Sequence, residues 1–267
     1  MRSLLEEWHD VAEQVREADS IALFLDFDGT LAPLEENPGA AGMNRVARVA
    51  LMRLAGNPGV RVCVISGRRL ADLRARVGVP GVEYLGVHGG DAPDTAFPPG
   101  VMRIVAGARG QLASCLNGGI SVNGHGSGIQ IEDKGVAFAV HHRRARAPEI
   151  AHAREILDRV VEKLAGALRV VPGDRVWEVL PREIRGKGHA ARRQWRLRSA
   201  GALPIYIGND STDEAAFGAL APGLTARVGT ARQTRARYFL RNPAEVARFL
   251  EKLEEETRWR QSPDSNL

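Results

Sequence analysis

Residues 21–30 read Ile21-Ala22-Leu23-Phe24-Leu25-Asp26-Phe27-Asp28-Gly29-Thr30. The first five residues form a continuous apolar run of strand length, which is typical of a strand buried on both faces in a parallel sheet. The run ends at two aspartates, Asp26 and Asp28. Residues two apart in a strand point to the same face, so the two carboxylates leave the chain together. This stretch therefore predicts a parallel sheet with an acidic site at one strand end.

The same pattern recurs three times along the chain. The apolar runs 60–65, 84–87 and 203–207 end at Ser66-Gly67-Arg68, His88-Gly89-Gly90 and Gly208-Asn209-Asp210. Helices are predicted between the first runs and elsewhere, at residues 1–18, 43–54, 70–77, 187–197 and 243–255. Alternating strands and helices predict crossover units and a parallel sheet, in which ligands bind at the carboxyl ends of the strands. The polar strand ends therefore locate the site.

The middle of the chain has a different pattern. Between about residues 105 and 183 the sequence predicts two helices, one ending near residue 116 and one from Pro148 to about residue 164. It also predicts two hairpin-like pairs of short runs, 120–122 with 129–131 and 136–142 with 175–180. Glycine-rich turns such as 123–126 separate them. We expect an α/β core formed by residues 1–104 and 184–267, with residues 105–183 inserted as an α+β domain.

The composition excludes several classes of protein. Of the 267 residues, 44% are hydrophobic and 26% are charged, which excludes a wholly disordered chain. No apolar run reaches the roughly 18 residues that span a bilayer, and the first 20 residues lack an apolar signal-peptide core. We expect a soluble cytoplasmic protein with no membrane partner. Two cysteines, Cys63 and Cys115, exclude a disulfide framework and a four-cysteine zinc site.

The charge balance by itself identifies no partner. The net charge is +5, and only four of the 37 basic residues are lysines. An arginine excess suits anion or nucleic-acid binding, but it also follows from biased codon usage. The basic stretch 182–198 has no aromatic residue except Trp195, whereas single-stranded nucleic acid is bound by interleaved aromatics. We therefore expect no nucleic-acid partner.

The paired aspartates suit a divalent cation with oxygen ligands. Two carboxylates held together repel each other unless positive charge lies beside them, and Mg²⁺ relieves this repulsion while leaving room for a phosphate. Two acids near another strand end, Asp210 and Asp213, would complete a metal site built from two strands. Alternatively, these acids only cap the helices that follow, because Asp is a good N-cap residue.

Ser66 and Lys187 lie where a phosphate would bind. Ser66 places a hydroxyl and backbone N–H groups at a helix start. Lys187 lies between two glycines, which let its ammonium group approach an anion closely. Each residue also has an ordinary interpretation, as a helix cap and as a solvated turn. A Walker-type phosphate loop is absent from the sequence, so nucleoside triphosphate binding of that kind is unsupported.

The ordered set of motifs resembles the haloacid dehalogenase superfamily of phosphohydrolases. Within it, the chain is similar to the trehalose-6-phosphate phosphatases in blocks between residues 21 and about 220. The blocks are residues 25–31, 65–68, 86–89, 132–135 with Phe138, 141–143, 177–179, 186–188 and 212–214 with Phe217.

This resemblance implies a Rossmann-like parallel-sheet core with an inserted C2-type cap, which covers the site and selects the sugar. It implies that Asp26 is the nucleophile that forms an aspartyl-phosphate, and that Asp28 protonates the departing sugar oxygen and then accepts a proton from water. Ser66 and Lys187 would hold the phosphoryl oxygens. Mg²⁺ would be bound by the Asp26 side chain, the Asp28 carbonyl and an acid of the last motif.

One position departs from the family pattern. The family has an aspartate where this chain has Asn209, and an amide oxygen can coordinate Mg²⁺ but brings no charge. Either Asn209 binds the metal, or Asp210 replaces it, or Mg²⁺ binds more weakly. We expect activity to persist, and Asp210→Ala to cost more activity than Asn209→Ala.

Polar residues of the insertion match family positions that contact sugar hydroxyls. The resemblance assigns this role to Glu132, Lys134, Arg143 and Glu178, although Glu132 and Lys134 also suit a solvated hairpin edge. His141 and His142 are adjacent on a predicted strand and point to opposite faces, so we expect no shared metal. The remaining candidates for substrate binding are Gly67, Arg68, His88 and Asp213, and the role of His88 is unassigned.

The expected function is Mg²⁺-dependent hydrolysis of trehalose 6-phosphate to trehalose and phosphate by a monomer. The same chemistry on another sugar phosphate, such as glucosylglycerol phosphate, mannosyl-phosphoglycerate or sucrose phosphate, is the nearest alternative. A catalytically silent regulatory partner of a sugar synthase belongs to a different class, and Asn209 is the one sequence feature that favours it.

Overall fold

A computed structural model of the chain describes residues 1–35, 39, 41–116, 128–164, 166–198, 201–230 and 233–258. The chain forms two compact units. The core unit comprises Met1–Ala92 and the residues from Arg185 onward, and the inserted unit comprises Pro93–Ile184.

The strands of the described chain are β1 (Arg2–Ser3), β2 (Ile21–Leu25), β3 (Val60–Ile65), β4 (Glu83–Leu85), β5 (Gln130–Asp133), β6 (Phe138–His141), β7 (Leu168–Gly173), β8 (Val176–Pro181), β9 (Leu203–Gly208), β10 (Leu224–Val228) and β11 (Tyr238–Leu240). The helices are α1 (Trp8–Glu17), α2 (Arg45–Ala55), α3 (Leu70–Val77), α4 (Pro99–Cys115), α5 (Ala147–Glu162), α6 (Lys187–Arg198), α7 (Glu214–Ala219) and α8 (Pro243–Thr257).

The core unit is built on a seven-stranded parallel sheet with the order β1-β11-β10-β9-β2-β3-β4. All five residues of β2 are buried, and its side chains alternate between two apolar layers. Leu23 and Leu25 pack in the layer that includes residues of α1, α2, α3 and α8, while Phe24 packs in the layer that includes residues of α6 and α7. Burial on both faces explains the continuous apolar run and confirms the predicted parallel α/β sheet.

The register of the central strands brings their carboxyl ends level. Leu25 lies opposite Val64 of β3 and Ile207 of β9. The Asp26 backbone N–H donates to the Ile207 carbonyl at 2.9 Å, which extends this alignment one residue beyond the strand. Residues that follow β2, β3 and β9 therefore emerge at the same edge of the sheet.

The inserted unit has a four-stranded antiparallel sheet with the order β5-β6-β8-β7. Phe138, Val140, Trp177 and Val179 share an apolar cluster with residues of α4 and α5. The pairing of β6 with β8 confirms the predicted pairing of residues 136–142 with 175–180. For the other predicted pair, residues 120–122 lie outside the described residues, and β5 pairs with β6.

Several elements differ from the sequence-based expectation. The first helix begins at Trp8 rather than at residue 1, because Arg2–Ser3 pair with β11 at the sheet edge. The strands β7, β10 and β11 were not predicted. Proline, arginine and threonine interrupt the apolar runs of β7 and β10, and pairing with neighbouring strands outweighs this weak local preference.

A search of the described residues for membrane-spanning helices finds none that is long and apolar enough.

The helix α8 packs into an apolar layer of the core unit, and Phe249 is one of its buried residues. Phe249 is fully buried, and its ring meets the Trp8 ring edge-on at a centroid distance of 5.9 Å. We expect Phe249→Ala to lower the free energy of unfolding by about 3 to 5 kcal/mol, because it leaves a cavity in a packed layer.

Urea unfolding followed by tryptophan fluorescence measures this change. Leu197→Ala is the control, since Leu197 is 68% exposed and its truncation is expected to change the free energy of unfolding by about 0.5 kcal/mol or less. Equal effects of the two substitutions would contradict the prediction.

Candidate functional site

Three buried charges meet at the carboxyl edge of the core sheet. Asp26 follows β2, Lys187 is the first residue of α6, and Asp213 lies in the 3-10 turn Ser211–Asp213 after β9. The Lys187 Nζ lies 2.8 Å from Asp26 Oδ1 and 2.9 Å from Asp213 Oδ1. Since all three side chains are at most 5% exposed, their charges are compensated by one another rather than by water.

Burial and charge shift the pKa values of this cluster in a consistent pattern. Burial raises the pKa of Asp26 to about 8, against the opposing attraction of the Lys187 ammonium. Burial favours neutral Lys187, but Asp213 and Asp26 outweigh it and raise the pKa of Lys187. Lys187 is therefore a fixed positive charge. Asp26 holds its proton more tightly than an exposed aspartate, and when it is ionised it is a desolvated carboxylate beside that charge.

Asp213 organises the loop that follows β9. Its Oδ2 accepts backbone N–H groups of Asn209 and Asp210 at 3.0 and 2.9 Å, and its Oδ1 accepts the Tyr206 hydroxyl at 2.7 Å as well as Lys187. The carboxylate has no solvent-exposed surface. Protein donors therefore surround the Asp213 carboxylate, and a contact between Asp213 and substrate stays a prediction.

The side chain of Asn209 faces the two aspartates. One end of its amide lies 3.0 Å from Asp26 Oδ2 and 2.7 Å from the Asp28 carbonyl oxygen. With the nitrogen at that end, the amide donates to both oxygens; with the oxygen there, three oxygens converge. Gly29 permits this approach, since its φ is +79° and a Cβ there would lie 2.2 Å from Asn209 Nδ2.

Asp210 has a different role from Asn209. Its carboxylate accepts the backbone N–H of Ser211 at 2.5 Å and the Ser211 hydroxyl at 3.1 Å, so it caps the turn that starts at Ser211. The expectation that Asp210→Ala costs more activity than Asn209→Ala stays a prediction. The structure brings Asn209, and not the Asp210 carboxylate, to Asp26 and Asp28.

The carboxylate of Asp28 forms a bidentate ion pair with Arg68. Arg68 Nε lies 2.7 Å from Asp28 Oδ2, and Arg68 Nη2 lies 2.6 Å from Asp28 Oδ1. Asp28 is 34% exposed, in contrast to the buried Asp26. The two aspartates of residues 21–30 therefore lie in different electrostatic environments.

Ser66 and His88 lie at the ends of the two neighbouring strands. Ser66 is buried after β3, its Oγ accepts the Arg68 N–H at 3.2 Å, and Gly67 lies between the two. The backbone of Val87 and His88 adopts positive φ values of 46° and 56°. Such values are strained for side-chain-bearing residues, and here the hydrogen bonds from Val87 N–H to Arg68 O and from His88 N–H to Ser66 O maintain them.

The inserted unit has its own polar cluster on one face of its sheet. Lys134 and Glu178 are both buried and form a close ion pair, and Glu132 lies 4.0 Å from the Lys134 Nζ. His141 Nε2 lies 2.8 Å from Glu132 Oε2. Burial alone would raise the pKa of Glu132, but His141 and Lys134 lower it. Burial of Lys134 excludes the alternative of a simple solvated hairpin edge for that residue.

Arg143 forms an ion pair with a residue outside this cluster. Its Nη2 lies 2.7 Å from Asp174 Oδ2; Arg143 is half-buried and Asp174 is exposed. His142 stacks on the Trp177 ring at a centroid distance of 4.3 Å while His141 faces Glu132. Within the described residues no group of three histidine, cysteine or acidic side chains is arranged to hold a metal.

Sequence reasoning missed two residues that complete the core site. Tyr206 is buried in β9 and was counted only as part of an apolar run, because a hydroxyl inside such a run gives no local signal. Asp72, in the first turn of α3, accepts Arg68 Nη1 at 2.8 Å. Its spacing of four residues from Arg68 on a helix start is the signal that could have identified it.

Comparison with known proteins identifies related sequences and folds. The family model described as trehalose-phosphatase matches residues 24–96 and 124–244. The trehalose-phosphate phosphatase of Mycobacterium avium is 37% identical over 254 residues, which are 87% of this chain and 61% of that protein. The chain thus spans about three fifths of the length of this relative. The match confirms the resemblance seen in the motifs.

Solved structures share the fold. The C-terminal domain of trehalose-6-phosphate phosphatase from Candida albicans matches with a TM-score of 0.76 at 22% identity, covering 95% of this chain and 98% of that domain. A haloacid dehalogenase-like hydrolase from Bacteroides thetaiotaomicron matches with a TM-score of 0.61 at 16% identity, covering 88% of this chain and 99% of that one. These matches confirm the predicted haloacid dehalogenase-like fold.

The buried charge cluster generates a stability prediction. We expect Asp213→Asn to lower the free energy of unfolding by about 3 kcal/mol, because an amide nitrogen then faces donors and buried Lys187 loses one carboxylate. Tyr206→Phe, which removes a single hydroxyl from the same oxygen, is expected to cost about 1 kcal/mol. Urea unfolding of both variants tests whether Asp213→Asn lowers the free energy of unfolding more than Tyr206→Phe does. A smaller decrease for Asp213→Asn would refute the prediction.

Proposed function

We propose, on the premise that this chain belongs to the trehalose-phosphatase family, that it hydrolyses trehalose 6-phosphate to trehalose and inorganic phosphate. The observation that carries the proposal is the desolvated Asp26 carboxylate held against Lys187 at the edge of a parallel sheet. This is a suitable environment for a carboxylate nucleophile beside a bound phosphate dianion.

Asp26 attacks phosphorus, the bond from phosphorus to the sugar oxygen breaks, and an aspartyl-phosphate forms. Asp28 donates a proton to the leaving sugar oxygen, then accepts a proton from the water that attacks the aspartyl-phosphate. Phosphate leaves, and Asp26 is restored. Lys187 and Ser66 bind the phosphoryl oxygens and stabilise the charge that moves between them.

The residues at this site fit a divalent cation, which we propose to be Mg²⁺. Asp26 Oδ2, the Asp28 carbonyl and the Asn209 amide approach one another, and with its oxygen turned inward the amide has oxygen neighbours only. Such a set of oxygen ligands suits a hard cation. These three residues would hold it, and its charge would neutralise the phosphate and orient it for in-line attack.

We assign sugar recognition to Glu132, Lys134 and Glu178 of the inserted unit. A disaccharide presents many hydroxyls and little apolar surface, so its binding site needs donors and acceptors held in place. The paired charges of this cluster provide both, and the buried ion pair of Lys134 with Glu178 fixes their orientation. Arg143 remains a candidate for the same role.

A phosphate-release assay with a panel of sugar phosphates tests the function. We expect trehalose 6-phosphate to have the highest kcat/KM, and Asp26→Asn to lower kcat by about 10⁴-fold or more, because the nucleophile is lost. Circular dichroism of Asp26→Asn controls for folding.

The outcomes of this assay separate the alternatives. A preference for glucosylglycerol phosphate, mannosyl-phosphoglycerate or sucrose phosphate would be compatible with the proposed reaction but would overturn the proposed substrate. Phosphate release that Asp26→Asn leaves unchanged would overturn the mechanism. No release from any member would favour a regulatory protein.

Calorimetry of Mg²⁺ binding to the protein without substrate tests the cation site. We expect Asn209→Ala to weaken Mg²⁺ binding about tenfold or more, because a ligand oxygen is lost, and Asn209→Asp to tighten it, because a charge is added. Asp210→Ala is the matched control and is expected to leave the Mg²⁺ affinity within about twofold, with about 1 kcal/mol of stability lost from the turn. Weaker binding by Asp210→Ala than by Asn209→Ala would overturn the assignment.

A further inference from the structure

The guanidinium of Arg68 is bound on every side. Its three nitrogens each donate to a carboxylate oxygen: Nε and Nη2 to Asp28, and Nη1 to Asp72 at 2.8 Å. The guanidinium carbon also lies 5.4 Å from the centroid of the buried Phe27 ring. A planar guanidinium with this many fixed contacts holds a carboxylate in one orientation.

The backbone of Arg68 is fixed as well. Its N–H donates to Ser66 Oγ at 3.2 Å, and its carbonyl accepts the Val87 N–H at 2.8 Å. The following residue but one, Leu70, starts α3, and its N–H is accepted by Asp91 Oδ2 at 2.8 Å. Residues of the core unit therefore hold both the backbone and the guanidinium of Arg68.

The contacts of Asp72 extend this arrangement along α3. Asp72 accepts Arg76 Nε at 2.9 and 3.0 Å, and Arg76 Nη1 donates to the carbonyl oxygens of Gly39 and Ala41. Asp28, Arg68, Asp72 and Arg76 thus form an alternating chain of charges. Arg76, at the far end of this chain of charges, is held by backbone carbonyl oxygens.

From this geometry we propose that Arg68 is a positioning residue for the acid and base Asp28, and that Asp72 sets the position of Arg68. The inference rests on the proposed function and departs from the expectation that Arg68 is a direct substrate contact. When the side-chain carboxyl of Asp28 carries a proton, its unprotonated oxygen still accepts a hydrogen bond from Arg68. The hydroxyl is then directed away from the guanidinium and toward the leaving oxygen.

The proposal predicts a dependence on the leaving group. A sugar alkoxide leaves only when it is protonated, whereas p-nitrophenolate leaves without an acid. The first half-reaction with a sugar phosphate therefore needs a positioned Asp28, and the same step with p-nitrophenyl phosphate does not. Hydrolysis of the aspartyl-phosphate needs Asp28 as a base with either substrate.

Single-turnover release of each leaving group by Asp72→Asn tests the inference. We expect trehalose release to slow about tenfold, nitrophenolate release to stay within about twofold, and hydrolysis of the phosphoenzyme to slow with both substrates. The dissociation constant of each substrate, taken from the concentration dependence of the single-turnover rate, is expected to stay unchanged. Arg68→Ala should show the same pattern more strongly, and Arg68→Lys, which keeps the charge without the bidentate fork, should lie between them.

Asp158→Asn is the matched control, because it makes the same change in an exposed Arg154–Asp158 pair with the same helical spacing. A raised dissociation constant for both substrates would assign Arg68 to substrate binding instead. Equal slowing of both first half-reactions, with a lower melting temperature, would reduce the network to a structural role. Should trehalose 6-phosphate prove not to be a substrate, any alkyl phosphate that the wild type hydrolyses serves in its place, so the two proposals fail separately.

Discussion

The site depends on one buried ammonium group between two buried carboxylates. An isolated charge in such a place costs several kcal/mol, so Lys187, Asp26 and Asp213 are stable there only together. They come from the start of α6, the end of β2 and the turn after β9. Their mutual compensation therefore requires the two strand ends and the helix start to meet, and it ties the geometry of the site to the folding of the core unit.

The two oxygens of Asp26 have different surroundings, and this difference organises the chemistry. Oδ1 contacts Lys187, while Oδ2 lies 3.0 Å from the amide of Asn209. Asp28 in turn is partly exposed and held by Arg68, which keeps its carboxylate apart from the buried cluster. Two carboxylates separated by one residue thus have unlike environments. Such a division suits the proposed roles of Asp26 as the nucleophile and Asp28 as the proton-transfer group.

Much of the fold was predictable because burial leaves a strong pattern in the sequence. The runs that became β2, β3 and β9 contain one charged residue, Arg61 of β3, since both faces of the sheet are covered. The helix α3 matches the predicted residues 70–77. The strands β10 and β11 escaped prediction, because Thr225 and Arg227 interrupt one run and the other is three residues long. Their strand character comes from pairing in the sheet, which no local window contains.

The sequence by itself determined which polar residues follow the strands and that Lys187 starts a helix, so Asp26, Asp28, Ser66, Asn209 and Lys187 could be named as candidates in advance. Only the tertiary structure decided the partners: Asn209 rather than Asp210 faces the aspartates, Asp213 is enclosed by donors, and Arg68 holds Asp28. The physical reason is that neighbours in the chain share a strand end, whereas the orientation of each side chain depends on hydrogen bonds that form only in the folded loops, some to nearby residues and some, as for Arg68 and Asp28, to distant ones. Strand register and backbone N–H donors determine which of several similar acidic side chains faces the site. The order of these residues in the sequence does not reveal either.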